Sequence, residues 1–312
     1  MGAFRWAQAG NQGFLPSPEL PNTFSAVTYD AGDPCEGGNQ CCVNSKDGQG
    51  GWPCMAGEAP YTGQFMGGIH PRVKKIVGTR LARAARAHVY NDTTVVWTGP
   101  VLSGCSLDGS SLRLQFDRPK LKDDTIMVLP ETARAISVVD AMGATWDAKT
   151  FELLSKLGPQ SPLEIQINGG ATANMTDGLW VPLRLQPKCN PTGTDVVQPG
   201  QGMCNIDPAT GEKQVGWDEV VAPLDGLGDL LNNVTGVRYA WGENPCCPSF
   251  NRQVVPCPPN SCPIQTWNST MPAVPFWARL SGGKCTWLST SGSGTSFPPE
   301  SPARVQGAGL EF

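Results

Sequence analysis

From Asn91 onward the chain breaks into short segments of β-forming residues divided by Gly, Pro, Asn and Asp turns, and this rhythm constrains the fold most. The segments are 93–98, 111–116, 125–129, 135–139, 163–167, 179–185, 237–241 and 273–280. In 111–116 the apolar residues Leu112, Leu114 and Phe116 alternate with polar ones. That is the two-residue period of a strand with one buried face. Between most segments no helical spacing intervenes. The pattern therefore predicts an all-β domain over about 91–290, a β-sandwich or barrel. With 37 glycines and 29 prolines the chain has the turn residues such a fold consumes.

The front of the chain reads differently. Residues 23–29 are rich in β-formers and end at Asp30-Ala31-Gly32-Asp33-Pro34, a strand running into a turn. Residues 34–64 are Gly- and Cys-rich without periodicity, which reads as a long stapled loop. Over 71–90 the apolar residues Val73, Ile76, Val77, Leu81, Ala84, Ala85 and Val89 follow helical spacing, with Arg72, Lys75, Thr79, Arg83 and Arg86 opposite. Pro71 suits the first helical position, and the basic residues read as a solvated face. Residues 1–90 thus look like the strand-loop-helix remnant of an α/β domain. The Ser-, Gly- and Pro-rich stretch 291–312 reads as a disordered tail.

Cysteine usage and charge narrow the function classes. Eight of the twelve cysteines fall in two groups, Cys35, Cys41, Cys42 and Cys54, then Cys246, Cys247, Cys257 and Cys262. Neither group has histidines beside it, so disulfides within each group are expected and a metal site is not. Asn91, Asn174, Asn233 and Asn268 each open an Asn-x-Ser/Thr sequon. Cysteines and sequons together point to an oxidising compartment, secreted or lysosomal, and to a glycoprotein. The net charge of -4 argues against a nucleic-acid binder. No apolar run reaches the length that spans a bilayer. The opening Met1-Gly2-Ala3-Phe4-Arg5-Trp6 lacks the basic and apolar regions of a signal peptide. An entry signal is thus expected outside this chain, which reads as the back part of a longer protein.

Chemistry centres on His70, in Gly67-Gly68-Ile69-His70-Pro71 just before the helical stretch. Imidazole titrates near neutral pH and serves as a general base, but only with partners. Asp30 and Asp33 follow a predicted strand, where α/β folds gather their active groups, so either could orient the ring. The same residues also suit an ordinary turn.

An ordered series of short motifs carries a family resemblance: Phe4-Arg5-Trp6-Ala7-Gln8, Pro21-Asn22-Thr23-Phe24-Ser25-Ala26-Val27, Asp30-x-x-Asp33, Ile69-His70-Pro71-Arg72-x-Lys74 and Gly78-x-Arg80-Leu81. Farther on come Val237-Arg238-Tyr239-Ala240-Trp241, Asn244-Pro245-Cys246 and Pro272-Ala273-Val274-Pro275-Phe276. The series resembles the last part of the sialate O-acetylesterases. The resemblance implies the C-terminal portion of an SGNH-type serine esterase domain followed by a β-sandwich domain. It also implies a cofactor-free hydrolase that removes O-acetyl groups from sialic acids. In that chemistry a serine attacks the acetyl carbonyl, histidine takes its proton, and hydrogen-bond donors hold the oxyanion. His70 takes the family's catalytic histidine position, with Asp30, Asp33 or a backbone carbonyl as the group that orients it. Arg5 and Gln8 are candidate substrate contacts, since a guanidinium forks onto a carboxylate.

Two departures accompany the resemblance. Gly67 stands three residues before His70, where such esterases often carry the acid, and neither Gly-Gln-Ser nor Gly-Asp-Ser occurs in the sequence. The nucleophile is therefore expected outside this chain. The alternative reading is a non-catalytic, disulfide-stapled β-sandwich of esterase ancestry that binds glycans or scaffolds a partner.

Overall fold

A computed structural model of the protein describes residues 8–9, 13–31, 74–128, 162–167, 179–183, 185, 218–241, 246 and 262–289. Two helices, a 3-10 helix and ten strands lie among them. Helix α1 is Lys74–His88 and the single-turn helix α2 is Arg118–Leu121. The strands are β1 Leu102–Asp108, β2 Ser111–Phe116, β3 Ile126–Val128, β4 Leu163–Ile167 and β5 Leu179–Pro182. They continue with β6 Glu219–Pro223, β7 Val234–Tyr239, β8 Ile264–Thr266, β9 Phe276–Ser281 and β10 Lys284–Leu288. Eight of them join in the order β5-β4-β7-β9-β10-β1-β2-β6, and β3 pairs with β8 apart from that sheet.

All these pairings are antiparallel. The core side is set by alternation: Leu163, Ile165 and Ile167 of β4, Val237 and Tyr239 of β7, and Phe276, Ala278 and Leu280 of β9 all point inward. Burying each large side chain contributes roughly 1.5–3 kcal/mol. Val181 of β5 and Val220 of β6 share this one core although they sit at opposite ends of the strand order. The sheet therefore curls around its own inner face, and Ile126, Val128 and Ile264 of the two-stranded sheet add to the same core. Strands β9 and β10 are joined through Gly282 and Gly283, both at positive φ (57° and 73°), as a two-residue hairpin turn requires.

The register Ser106↔Lys284 sets Cys105 opposite Cys285, and a disulfide joins them across β1 and β10, closing 180 residues of sequence. A cross-link over so long a loop restricts the unfolded chain strongly. Replacing both cysteines by serine should lower stability by about 2–4 kcal/mol, read from urea unfolding. An unchanged midpoint would show that the bridge contributes nothing. A second disulfide, Cys246–Cys262, lies within the later cysteine group.

Expected strands 111–116 and 163–167 match β2 and β4, and those at 125–129, 179–185, 237–241 and 273–280 overlap β3, β5, β7 and β9. Two expected strands are corrected. Over 93–98 there is no strand, because Asp92 captures the local backbone: its carboxylate accepts from the Thr94 amide at 3.0 Å and the Thr94 hydroxyl at 2.7 Å. Over 23–29 no strand forms either, so of the expected strand and helix only the helix is present among the described residues. This segment instead lays Phe24 and Val27 against a second apolar cluster of Phe14, Ala84, Trp97, Val101 and Val274. The expected features at 34–64, 135–139 and 291–312 lie outside the described residues.

Helix α1 ends at His88, and three residues on Asn91 turns the chain at φ 55°, a conformation asparagine tolerates just past a helix end. Its buried side is the expected one in part: Ala84 is buried as expected, but Leu81 and Val89 are exposed and Arg80 is buried. The helix leans on the hairpin region after β8. There Gly99 passes so close to Pro272 that an added Cβ would lie 1.9 Å from its carbonyl oxygen. The Val274 amide donates to the Pro100 carbonyl at 2.9 Å.

Candidate active site

Asp30 sits where the extended segment turns, with the Ala31 amide donating to the Thr28 carbonyl at 2.9 Å. Its carboxylate meets Arg80 of α1 in a two-pronged pair, Nη1 to Oδ1 at 2.5 Å and Nη2 to Oδ2 at 2.6 Å. Both side chains are nearly sealed from solvent, 3% exposed for Asp30 and 6% for Arg80. Arg80 also donates to the Val27 carbonyl at 2.8 Å and the Thr270 carbonyl at 3.5 Å. Beside it Arg83 reaches the Ser269 carbonyl at 3.4 Å, and the Tyr29 hydroxyl donates to the Ala273 carbonyl at 2.6 Å. One guanidinium thus ties the segment that ends at Asp30, helix α1 and the turn after β8 into a single knot. A fork of this kind is strong and directional because both partners are planar and charged.

Of the site residues expected from sequence, Asp30 is placed in this knot and Gln8 is solvent-exposed, while Arg5, Asp33 and His70 lie outside the described residues. Arg80 was assigned to the solvated face, and its burial corrects that reading. The signal was present: Arg80 falls four residues after Ile76 and four before Ala84, on the apolar stripe. A buried arginine on such a stripe needs a carboxylate from elsewhere, and Asp30 supplies it.

The other histidine, His88, packs edge-on to Trp97 at 4.2 Å and stacks near Phe24 at 6.1 Å. Burial pushes its pKa below the ordinary 6.5, since the imidazolium would lose water there. The folded state thus prefers neutral His88. Its stabilisation is whole above pH ~6.5, where the unfolded imidazole is neutral too, and declines as pH falls through the unfolded and then the folded value. Asp92 acts in a separate, lower window. The Thr94 hydroxyl and amide, with Arg86, hold it at about 2, so its contribution is full above the ordinary carboxylate value and is lost as pH falls from there through about 2. Stability should therefore soften as pH falls below about 6.5, and His88→Phe should flatten that slope in denaturant titrations. An equal slope in the variant would assign the effect elsewhere.

Comparison with known proteins bears on identity only over part of the chain. No family model matches it. Sialate O-acetylesterase of Homo sapiens is 31% identical over 97 residues, covering 31% of this chain and 13% of that protein. The Mus musculus sialate O-acetylesterase is 30% identical over 116 residues, 36% of this chain and 16% of its own length. The match therefore spans well under a fifth of these curated relatives. A crystal structure of a carbohydrate acetylesterase from Xanthomonas citri overlaps 67% of this chain and 28% of its own, at 20% identity and a TM-score of 0.34, too loose to carry an argument. Over about a third of its length, this chain is related to the sialate O-acetylesterases.

Proposed function

We propose that this chain is part of a carbohydrate esterase that removes O-acetyl groups from sialic acids, and that it contributes the general base His70. What carries the reading is the 31% identity over 97 residues to sialate O-acetylesterase, joined to the motif order around His70. His70 takes the proton of a serine that a segment outside this chain supplies, and returns it to the leaving sugar hydroxyl. Asp33 is the favoured orienting acid, because both carboxylate oxygens of Asp30 are already bound to Arg80. Asp30 then acts by position: it anchors the chain three residues before Asp33, and Arg80 anchors the helix that His70 leads into. Arg5 and Gln8 are the substrate contacts of this reading, Arg5 toward the sialic acid carboxylate. The Cys105–Cys285 and Cys246–Cys262 disulfides support a secreted or lysosomal setting.

Substrate choice is tested on the protein that contains both this chain and its nucleophile segment. Acetate release is compared between O-acetylated sialic acid and an acetylated neutral sugar. Preference for the sialic acid, lost in Arg5→Leu through a raised KM, is the expected result. Equal rates on both sugars would leave a general carbohydrate acetylesterase, and retention of glycan without acetate release would favour the non-catalytic alternative.

A further inference from the structure

Asn268 stands in the turn after β8, followed by Ser269 and Thr270. Almost every polar group of this turn is spent internally. Asp124, only 3% exposed, accepts from the Asn268 amide at 2.9 Å, the Ser269 amide at 2.9 Å and the Ser269 hydroxyl at 2.8 Å. The Ser269 hydroxyl also lies 2.6 Å from that of Thr266, and the Thr270 hydroxyl donates to the Ser269 carbonyl at 2.8 Å. The Trp267 amide donates to the Thr125 carbonyl at 2.8 Å. The Asn268 side chain joins none of these bonds, and the residue is exposed. A rigid turn thus presents one carboxamide to solvent, two residues before a hydroxyl.

We propose that Asn268 is an N-glycosylation site, an inference independent of the esterase reading. The two disulfides support folding in the oxidising compartment where such transfer occurs. In the transfer Nδ2 of Asn268 attacks C1 of the first sugar of a lipid pyrophosphate-linked oligosaccharide. The N–C bond forms, the C–O bond to pyrophosphate breaks with its electron pair leaving on the lipid pyrophosphate, and the amide gives up one proton. The fold accommodates the product because the substituted nitrogen faces solvent and no internal bond is lost. Asn91 and Asn233, also exposed, open sequons too.

The test is to express the chain behind a cleavable leader in eukaryotic cells. Secreted protein is treated with an N-glycosidase in heavy-oxygen water and its peptides are weighed. Asn268 should read as a heavy-labelled aspartate in the wild type and in Thr270→Ser, which keeps the sequon, but not in Thr270→Ala. Should Thr270→Ala fail to be secreted, Asn268→Gln keeps an exposed carboxamide but removes the acceptor asparagine, and should run one glycan lighter. An unmodified Asn268 in secreted wild-type protein, or unchanged mobility of Asn268→Gln, would overturn the proposal.

Discussion

His70→Ala is expected to reduce kcat about 10⁴-fold or more in the protein that joins this chain to its nucleophile segment, with little change in KM. Removing the base leaves the serine hydroxyl protonated at neutral pH, so the nucleophile is lost while substrate contacts stay. The acidic limb of the kcat profile, set by protonation of the imidazole, should disappear with it. Asp33→Asn should cost less, since an orienting acid acts through the ring. A His70→Ala enzyme that kept its kcat would remove His70 from the mechanism.

Asp30→Asn, or Arg80→Met, is expected to cost about 3–5 kcal/mol of folding stability, because each strands a buried charge whose partner is gone. Exchanging both residues together for apolar ones of similar size should cost much less, since no charge is then left unpaired. Chemical denaturation of the two single variants and the double variant measures this directly. The pattern also separates roles. If the Asp30–Arg80 pair is an anchor, Asp30→Asn shifts the unfolding midpoint and leaves kcat near normal under conditions where the variant stays folded. A large loss of kcat at unchanged stability would instead make Asp30 the acid beside the histidine.

The sheet was legible where alternation was clean. Leu112, Leu114 and Phe116 announce β2, and Leu163, Ile165 and Ile167 announce β4. Strand β1, Leu102–Asp108, was not, because Ser103, Gly104 and Cys105 have little intrinsic strand preference and its pairing is fixed by β2 and β10. Thr93 to Thr98 misled for the opposite reason: good β-formers lost to a side-chain turn at Asp92. Composition pointed to local disulfides, which Cys246–Cys262 fits, but cross-strand Cys105–Cys285 depends on a register that sequence does not show. At the site, Arg80 was hidden by its charge, since basic residues on a helix usually face water. Only its place on the apolar stripe hinted at the buried pair with Asp30.

Under the proposed function this chain supplies the base, and another segment the nucleophile, of a sialic acid O-acetylesterase. Acetate release from O-acetylated sialic acid, measured on this chain alone and on the same chain joined to a segment bearing the serine, tests it most directly. No enzymatic release from the chain alone and clear turnover from the joined protein are the expected results. Sustained turnover by the chain alone, at a rate unaffected by joining, would contradict it.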